Sequence, residues 1–149
     1  ILLKDDAVVV IPFFYMAGVQ NFVVVEQNRV IDGKNSYEFP SGSMIDGLSP
    51  VESALQELTE ETGIILEKNR LITLANNVVV CESAMSEKVT WFQVELKLNE
   101  IPDEGKLFGV LSQNERTKIV FLKLEDLERI NSFHMLSALQ LLRRIEKKK

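Results

Sequence analysis

The stretch Gln56-Glu57-Leu58-Thr59-Glu60-Glu61-Thr62-Gly63-Ile64 sets three carboxylates within about one turn of a helix. Upstream, Ser49 is placed as an N-cap, Pro50 suits the first helical position, and Glu52 completes a capping box three residues after the serine. Gly63 supplies the C-terminal stop. Val51, Ala54, Leu55 and Leu58 recur at i, i+3, i+4 and i+7, which predicts a buried stripe with Glu57, Glu60 and Glu61 on its flank. Glu57 is a like-charge neighbour of both Glu60 and Glu61, and each such pair costs about 0.2–0.5 kcal/mol. The negative pole of the helix adds to the cost. No Lys or Arg falls between Lys34 and Lys68. The compensating charge is therefore expected from outside the chain, most simply as a divalent cation.

Composition limits what that cation can serve. A chain of 149 residues is about one domain, taken here as 1–149, and can bury one sizeable core. Its 46% hydrophobic and 26% charged content is that of a soluble globular protein, without repeats or low-complexity runs. A net charge of −5 argues against broad nucleic-acid binding, which needs a basic face, so an anionic substrate requires local cations. Lys147, Lys148 and Lys149 read as a solvated end. Cys81 stands alone, and no signal peptide or apolar span of about twenty residues occurs, so a cytoplasmic, non-membrane protein is expected. The chain starts at Ile1 rather than Met, and a missing N-terminal piece is expected.

Strand patterns alternate with helical ones. Ala7–Phe14 is an apolar, β-branched run and Asn21–Gln27 a second, joined as a hairpin through Ala17-Gly18-Val19-Gln20. After the turn signal Asp32-Gly33-Lys34-Asn35, the extended Tyr37-Glu38-Phe39 leads into a loop from Pro40 to Leu48. Leu71–Leu74, Val78–Cys81, Lys88–Leu98 and Ile119–Leu122 read as strands, and Glu100–Arg116 as a polar stretch with turns. Leu124–Ile130 reads as a helical turn, and Ser132–Glu146 as an amphipathic helix presenting Phe133, Leu136, Leu139, Leu142 and Ile145. The result is an α+β fold, a mixed sheet between helices.

The loop glycine, capped helix, acidic flank and terminal glycine together resemble the Nudix box, whose family pattern is Gly-x5-Glu-x7-Arg-Glu-U-x-Glu-Glu-x-Gly-U with U aliphatic. Aligned without gaps, the pattern covers Gly42 to Ile64, and Gly42, Glu57, Leu58, Glu60, Glu61, Gly63 and Ile64 match it. Leu48 stands where the family has glutamate and Gln56 where it has arginine. Because opposite charges are lost together, neither would leave an orphan. The lead-in Val25-Glu26-Gln27-Asn28-Arg29 and Tyr37-Glu38-Phe39-Pro40-Ser41-Gly42 is similar to that of the ADP-ribose pyrophosphatase branch, with Asn28, Phe39 and Ser41 departing from its usual residues. Phe121–Leu127 is similar to the family's late strand and acidic turn, whereas the branch's extra N-terminal strands are not expected within these 149 residues.

This resemblance implies a Nudix-like α/β/α sandwich and Mg²⁺-dependent hydrolysis of a nucleoside diphosphate derivative, with ADP-ribose or an ADP-sugar as the substrate and Mn²⁺ as an alternative ion. It implies metal ligands at Glu57 and Glu61, support from Glu60, and a fourth contribution from the Ser41 carbonyl. Glu115 is the first candidate for general base, Glu104 the second, and Glu57 serves if one residue fills both roles. Arg29 is a candidate for phosphate pairing or base stacking, and Glu38 for accepting hydrogen bonds from base or ribose. A homodimer is the partner that family analogy suggests. The competing expectation is a Nudix-fold module that binds a nucleotide or a protein with little catalysis, and a third is a purely structural α+β domain. His134 reads as a packing or surface residue, Cys81 as a small core residue, and Trp91 as core, dimer interface or an adenine-stacking ring.

Overall fold

The computed structural model describes residues 2–28, 33–109 and 116–148. Strands β1 (Ala7–Met16) and β2 (Val19–Asn28) form the expected hairpin, but its turn is only Ala17-Gly18. Both turn residues have positive φ, 51° and 78°, as a two-residue turn that follows the strand twist requires. Next come β3 (Asn35–Glu38) and β4 (Ser41–Ser43), helix α1 (Pro50–Thr62), β5 (Ile72–Val79), β6 (Lys88–Glu95), β7 (Leu107–Phe108), β8 (Thr117–Leu122), α2 (Leu124–Leu127) and α3 (Phe133–Glu146).

These strands form one mixed sheet of order β5-β6-β1-β2-β8-β7, in which only the β1–β6 pairing is parallel among the described residues. The short strands fill a split at its centre. β1 and β2 pair only near their hairpin, from Phe13 with Phe22 to Met16 with Val19. Further out, β4 takes the vacated edge of β1 and β3 that of β2. The segment read as a loop from Pro40 to Leu48 therefore contains a strand, which three residues could not announce because its pairing partner is distant in sequence.

Strand alternation places one core on each face of the sheet. Val8, Val10, Val23, Phe92 and Val94 pack with Ala54 and Leu58 of α1, whereas Val9, Ile11, Val24 and Trp91 pack with Leu127 of α2 and with Met135, Ala138 and Leu139 of α3. Helices thus cover both faces, and β1 reads as an unbroken apolar run because both its faces are buried.

Two sequence readings are corrected. The apolar pieces 71–74 and 78–81 are one bulged strand, β5, which ends before the half-buried Cys81. Phe133 and Leu136 are 90% and 54% exposed, since α3 buries the stripe through Met135, Ala138, Leu139 and Leu141 instead. His134, read as a packing or surface residue, does pack, against Phe39 and Trp91. No helix among the described residues is long and apolar enough to cross a membrane.

Candidate functional site

Helix α1 begins as its sequence dictates. The Ser49 hydroxyl accepts from the Glu52 amide at 3.2 Å, and the Glu52 carboxylate accepts from the Ser49 amide at 3.2 Å. The capped serine and nearby Lys68, 3.4 Å from Glu52, hold the Glu52 carboxyl below its usual range. At the other end Gly63 adopts φ 75° and its N–H donates to the Thr59 carbonyl. The Thr59 hydroxyl lies within donating reach of the Ile64 and Leu55 carbonyls, at 2.8 and 3.0 Å, and the Thr117 hydroxyl of β8 donates to the Glu61 carbonyl at 3.2 Å. The acidic end of the helix is thereby fastened to the sheet.

What lies beneath α1 is Gly42. A Cβ at that position would stand 2.2 Å from Glu57 Cδ and 2.4 and 2.6 Å from its two carboxylate oxygens. The Glu57 carboxylate occupies the space that a side chain would otherwise fill. Register explains the approach: Gly42 is opposite Val8, whose side chain belongs to the core under α1, whereas Ser41 and Ser43 are opposite Val9 and Ala7 and share the other face. Val10 N–H donates to the Pro40 carbonyl and Met44 N–H to the Asp6 carbonyl, so Val9–Ser41 and Ala7–Ser43 are non-hydrogen-bonded pairs. In such a pair the Ser41 carbonyl points away from β1, toward the split in the sheet.

The three box carboxylates occupy distinct settings. Glu57 is half-buried against Gly42, and Glu61 is half-buried with its Oε2 shielded from solvent. Glu60 is exposed, and its carboxylate accepts from Gln56 Nε2 at 3.0 Å. Among the described residues no group of three or more His, Cys, Asp or Glu side chains is drawn into a metal-binding arrangement. Two carboxylates and one carbonyl, all oxygen donors, still suit a hard cation that keeps several waters.

On the opposite face of β4 lies a cavity of about 600 Å³, walled by β1, β5, β6 and the start of α3, with Glu38, Ser41, Gly42 and Ser43 along one side. Glu38 of β3 thus reaches the cavity, as do Trp91, Cys81 and His134. Lys4, the cavity's one cationic side chain among the described residues, is paired with the nearly buried Glu87 at 2.6 Å. His134 stacks on Phe39 with 6.0 Å between ring centroids and lies 5.3 Å from the Trp91 ring. Its Nε2 accepts the Phe39 N–H at 2.9 Å, so in the neutral ring the proton resides on Nδ1. Burial pushes the His134 pKa below its ordinary value, against the opposing pull of Glu38.

Glu104, the second base candidate, accepts the Phe121 N–H at 2.8 Å and so secures β8. Arg29 and Glu115 lie outside the described residues. Sequence reading undervalued Trp91, Cys81 and His134 as parts of this cavity. The one available signal was on α3: a stripe read through Ala138 rather than Leu136 brings in position 134, one turn earlier.

No family model matches the chain. An RNA pyrophosphohydrolase of Novosphingobium aromaticivorans is 30% identical over 128 residues, spanning 80% of this chain and 67% of that protein. An RNA pyrophosphohydrolase of Shewanella sediminis is 30% identical over 80 residues, 46% of each protein. Among solved structures, an ADP compounds hydrolase superposes with a TM-score of 0.70 at 21% identity, covering 97% of this chain and 75% of its own. The NUDIX domain of Shewanella oneidensis NrtR, complexed with ADP ribose, superposes with a TM-score of 0.67 at 16% identity, covering 96% of this chain and 86% of its own. At those identities the two structures establish the shared fold.

Proposed function

The chain belongs to the Nudix hydrolase family, and from that premise we propose that it hydrolyses the pyrophosphate of a nucleoside diphosphate derivative, ADP-ribose or an ADP-sugar, with Mg²⁺ as its ion in the cytoplasm. The observation that carries this reading is the sharing of Gly42 between two features: its Cα faces the Glu57 carboxylate, and its strand walls a cavity of about 600 Å³. An acidic cradle and a nucleotide-sized space thus adjoin across one short strand.

Glu57, Glu61 and the Ser41 carbonyl would hold the ion. When bound, a divalent cation supplies neutralisation of the pyrophosphate charge and activation of a water. The chain's own residues do the rest. The apolar walls and the Trp91 ring receive the base, and the Glu38 carboxylate accepts hydrogen bonds from its amine or from ribose hydroxyls. Arg29 is assigned to the phosphates and Glu115 to the base that takes the proton of the attacking water. The water oxygen bonds to phosphorus, the bridging P–O bond breaks, and AMP and ribose 5-phosphate leave.

Charge favours this substrate over the 5′ end of an RNA. A polyanion needs unpaired cations, whereas Lys4 is already tied to Glu87 and the chain carries a net charge of −5. The test is a hydrolysis panel with Mg²⁺: ADP-ribose, ADP-sugars, dinucleoside polyphosphates, nucleoside triphosphates and a 5′-triphosphorylated oligonucleotide. AMP release from ADP-ribose well above the other turnovers supports the proposal, and preferential turnover of the oligonucleotide overturns the substrate assignment.

A second reading rests on Glu60, whose carboxylate is engaged by Gln56 rather than gathered with the other two. That arrangement suits a nucleotide-binding module. Its signature is ADP-ribose binding unaffected by chelator, with no turnover across the panel.

A further inference from the structure

The Phe39-Pro40 link between β3 and β4 lies outside both ladders. β3 ends at Glu38 on β2, β4 begins at Ser41 on β1, and Pro40 has no N–H to give. Phe39 is fully buried, its ring 6.2 Å from that of Phe22, so its amide needs a partner inside the protein. A buried amide left unsatisfied costs about 1–3 kcal/mol. His134 provides the acceptor across a sequence separation of 95 residues. On the other side of the link, the Val10 amide holds the Pro40 carbonyl at 2.9 Å. These two bonds fix the backbone immediately before Ser41 and Gly42.

We propose that His134 is a positioning residue for the reaction: by accepting the Phe39 amide proton on Nε2, it sets the backbone that presents the Ser41 carbonyl and Gly42 to the Glu57 carboxylate. The inference rests on the assignment of Ser41 and Glu57 as an ion cradle. Packing alone does not account for the residue. A phenylalanine ring would stack on Phe39 and Trp91 equally well, and only an acceptor at the Nε2 position satisfies the amide. Loosening the link shifts the Ser41 carbonyl relative to Glu57, which weakens the ion site and slows turnover, whereas a ring kept at position 134 preserves the contact with Trp91. The effect is therefore expected in kcat and ion affinity and not in KM.

The experiment compares the wild-type chain with His134→Phe, which keeps a ring, and His134→Gln, whose amide oxygen reaches the Nε2 position. Three quantities are read: hydrogen exchange of the Phe39 amide, Mn²⁺ affinity without substrate, and kcat and KM for ADP-ribose. His134→Phe is expected to speed Phe39 exchange and to weaken Mn²⁺ binding and kcat by about tenfold each, the effect of one lost buried hydrogen bond, with KM within about threefold. His134→Gln is expected to restore all of them to within about threefold. Wild-type Mn²⁺ affinity and kcat in His134→Phe, or equal impairment of the two variants, would overturn the proposal. Should His134→Phe not fold, His134→Asn replaces it, since the shorter amide cannot reach Phe39, and the same comparison with His134→Gln decides. If the wild type binds Mn²⁺ with the expected variant pattern but turns over no ADP-ribose, the substrate reading falls and the positioning role stands.

Discussion

Gly42→Ala separates catalysis from folding. The new Cβ would sit 2.2 Å from Glu57 Cδ, and ordinary contact begins at 3.4 Å, so the carboxylate must retreat by at least 3.4 − 2.2 = 1.2 Å. Gly42 is absent from the positive-φ residues, so alanine meets no backbone strain there. The obstructing atoms are the far end of a flexible side chain, which can rotate away at a cost of about 1 kcal/mol. Stability should change little. Function should change much more, because misplacing a reactive group by about 1 Å costs on the order of 10²-fold, or about 2.7 kcal/mol of barrier. The assay is AMP release from ADP-ribose under saturating Mg²⁺, with a thermal melt of the same samples. A kcat near that of the wild type would refute the claim that Glu57 must rest against Gly42, and a collapsed melt would refute the claim that the side chain yields.

Other changes probe the supports. Gly63→Ala forces an L side chain into φ 75° and sets its Cβ 2.8 Å from Phe108 Cζ, so denaturant unfolding should show a loss of about 1–3 kcal/mol. His134 is held below its ordinary pKa of 6.5 in the folded protein, so the unfolded chain takes up the proton first as pH falls. The stability it contributes is complete above pH 6.5 and is lost as pH drops from there toward the lowered folded value. Thermal melts between about pH 8 and 5 should therefore fall more steeply for the wild type than for His134→Gln. Leu48→Glu with Gln56→Arg should raise kcat more than the sum of the single changes, since a glutamate at 48 alone adds a further negative charge beside the acidic flank; strict additivity in the double-mutant cycle would show that the two positions do not act together.

What the sequence revealed was what short-range physics determines. Ser49, Pro50, Glu52 and Gly63 bound α1 within a few residues, and each acts in the structure as its chemistry suggests. The split in the sheet was illegible because β4 exists only through pairing with Val8 and its neighbours, far upstream. The closeness of Gly42 to Glu57 follows from that pairing and was hidden with it. On α3, Phe133 and Leu136 fit helical spacing as well as Met135 and Ala138 do, and hydrophobicity favoured the wrong stripe. As a lone histidine without a motif partner, His134 read as a packing or surface residue, and its bond to Phe39 beside Trp91 came only with the fold.

The central claim is that the carboxylates of Glu57 and Glu61 act with a divalent cation to cleave a nucleoside diphosphate derivative. Its most direct test is Mg²⁺-dependent AMP release from ADP-ribose by the wild type, Glu57→Gln and Glu61→Gln. The account predicts chelator-sensitive turnover in the wild type and a loss on the order of 10²-fold or more in each variant, with melts that remain cooperative. Turnover unchanged by both substitutions would contradict it.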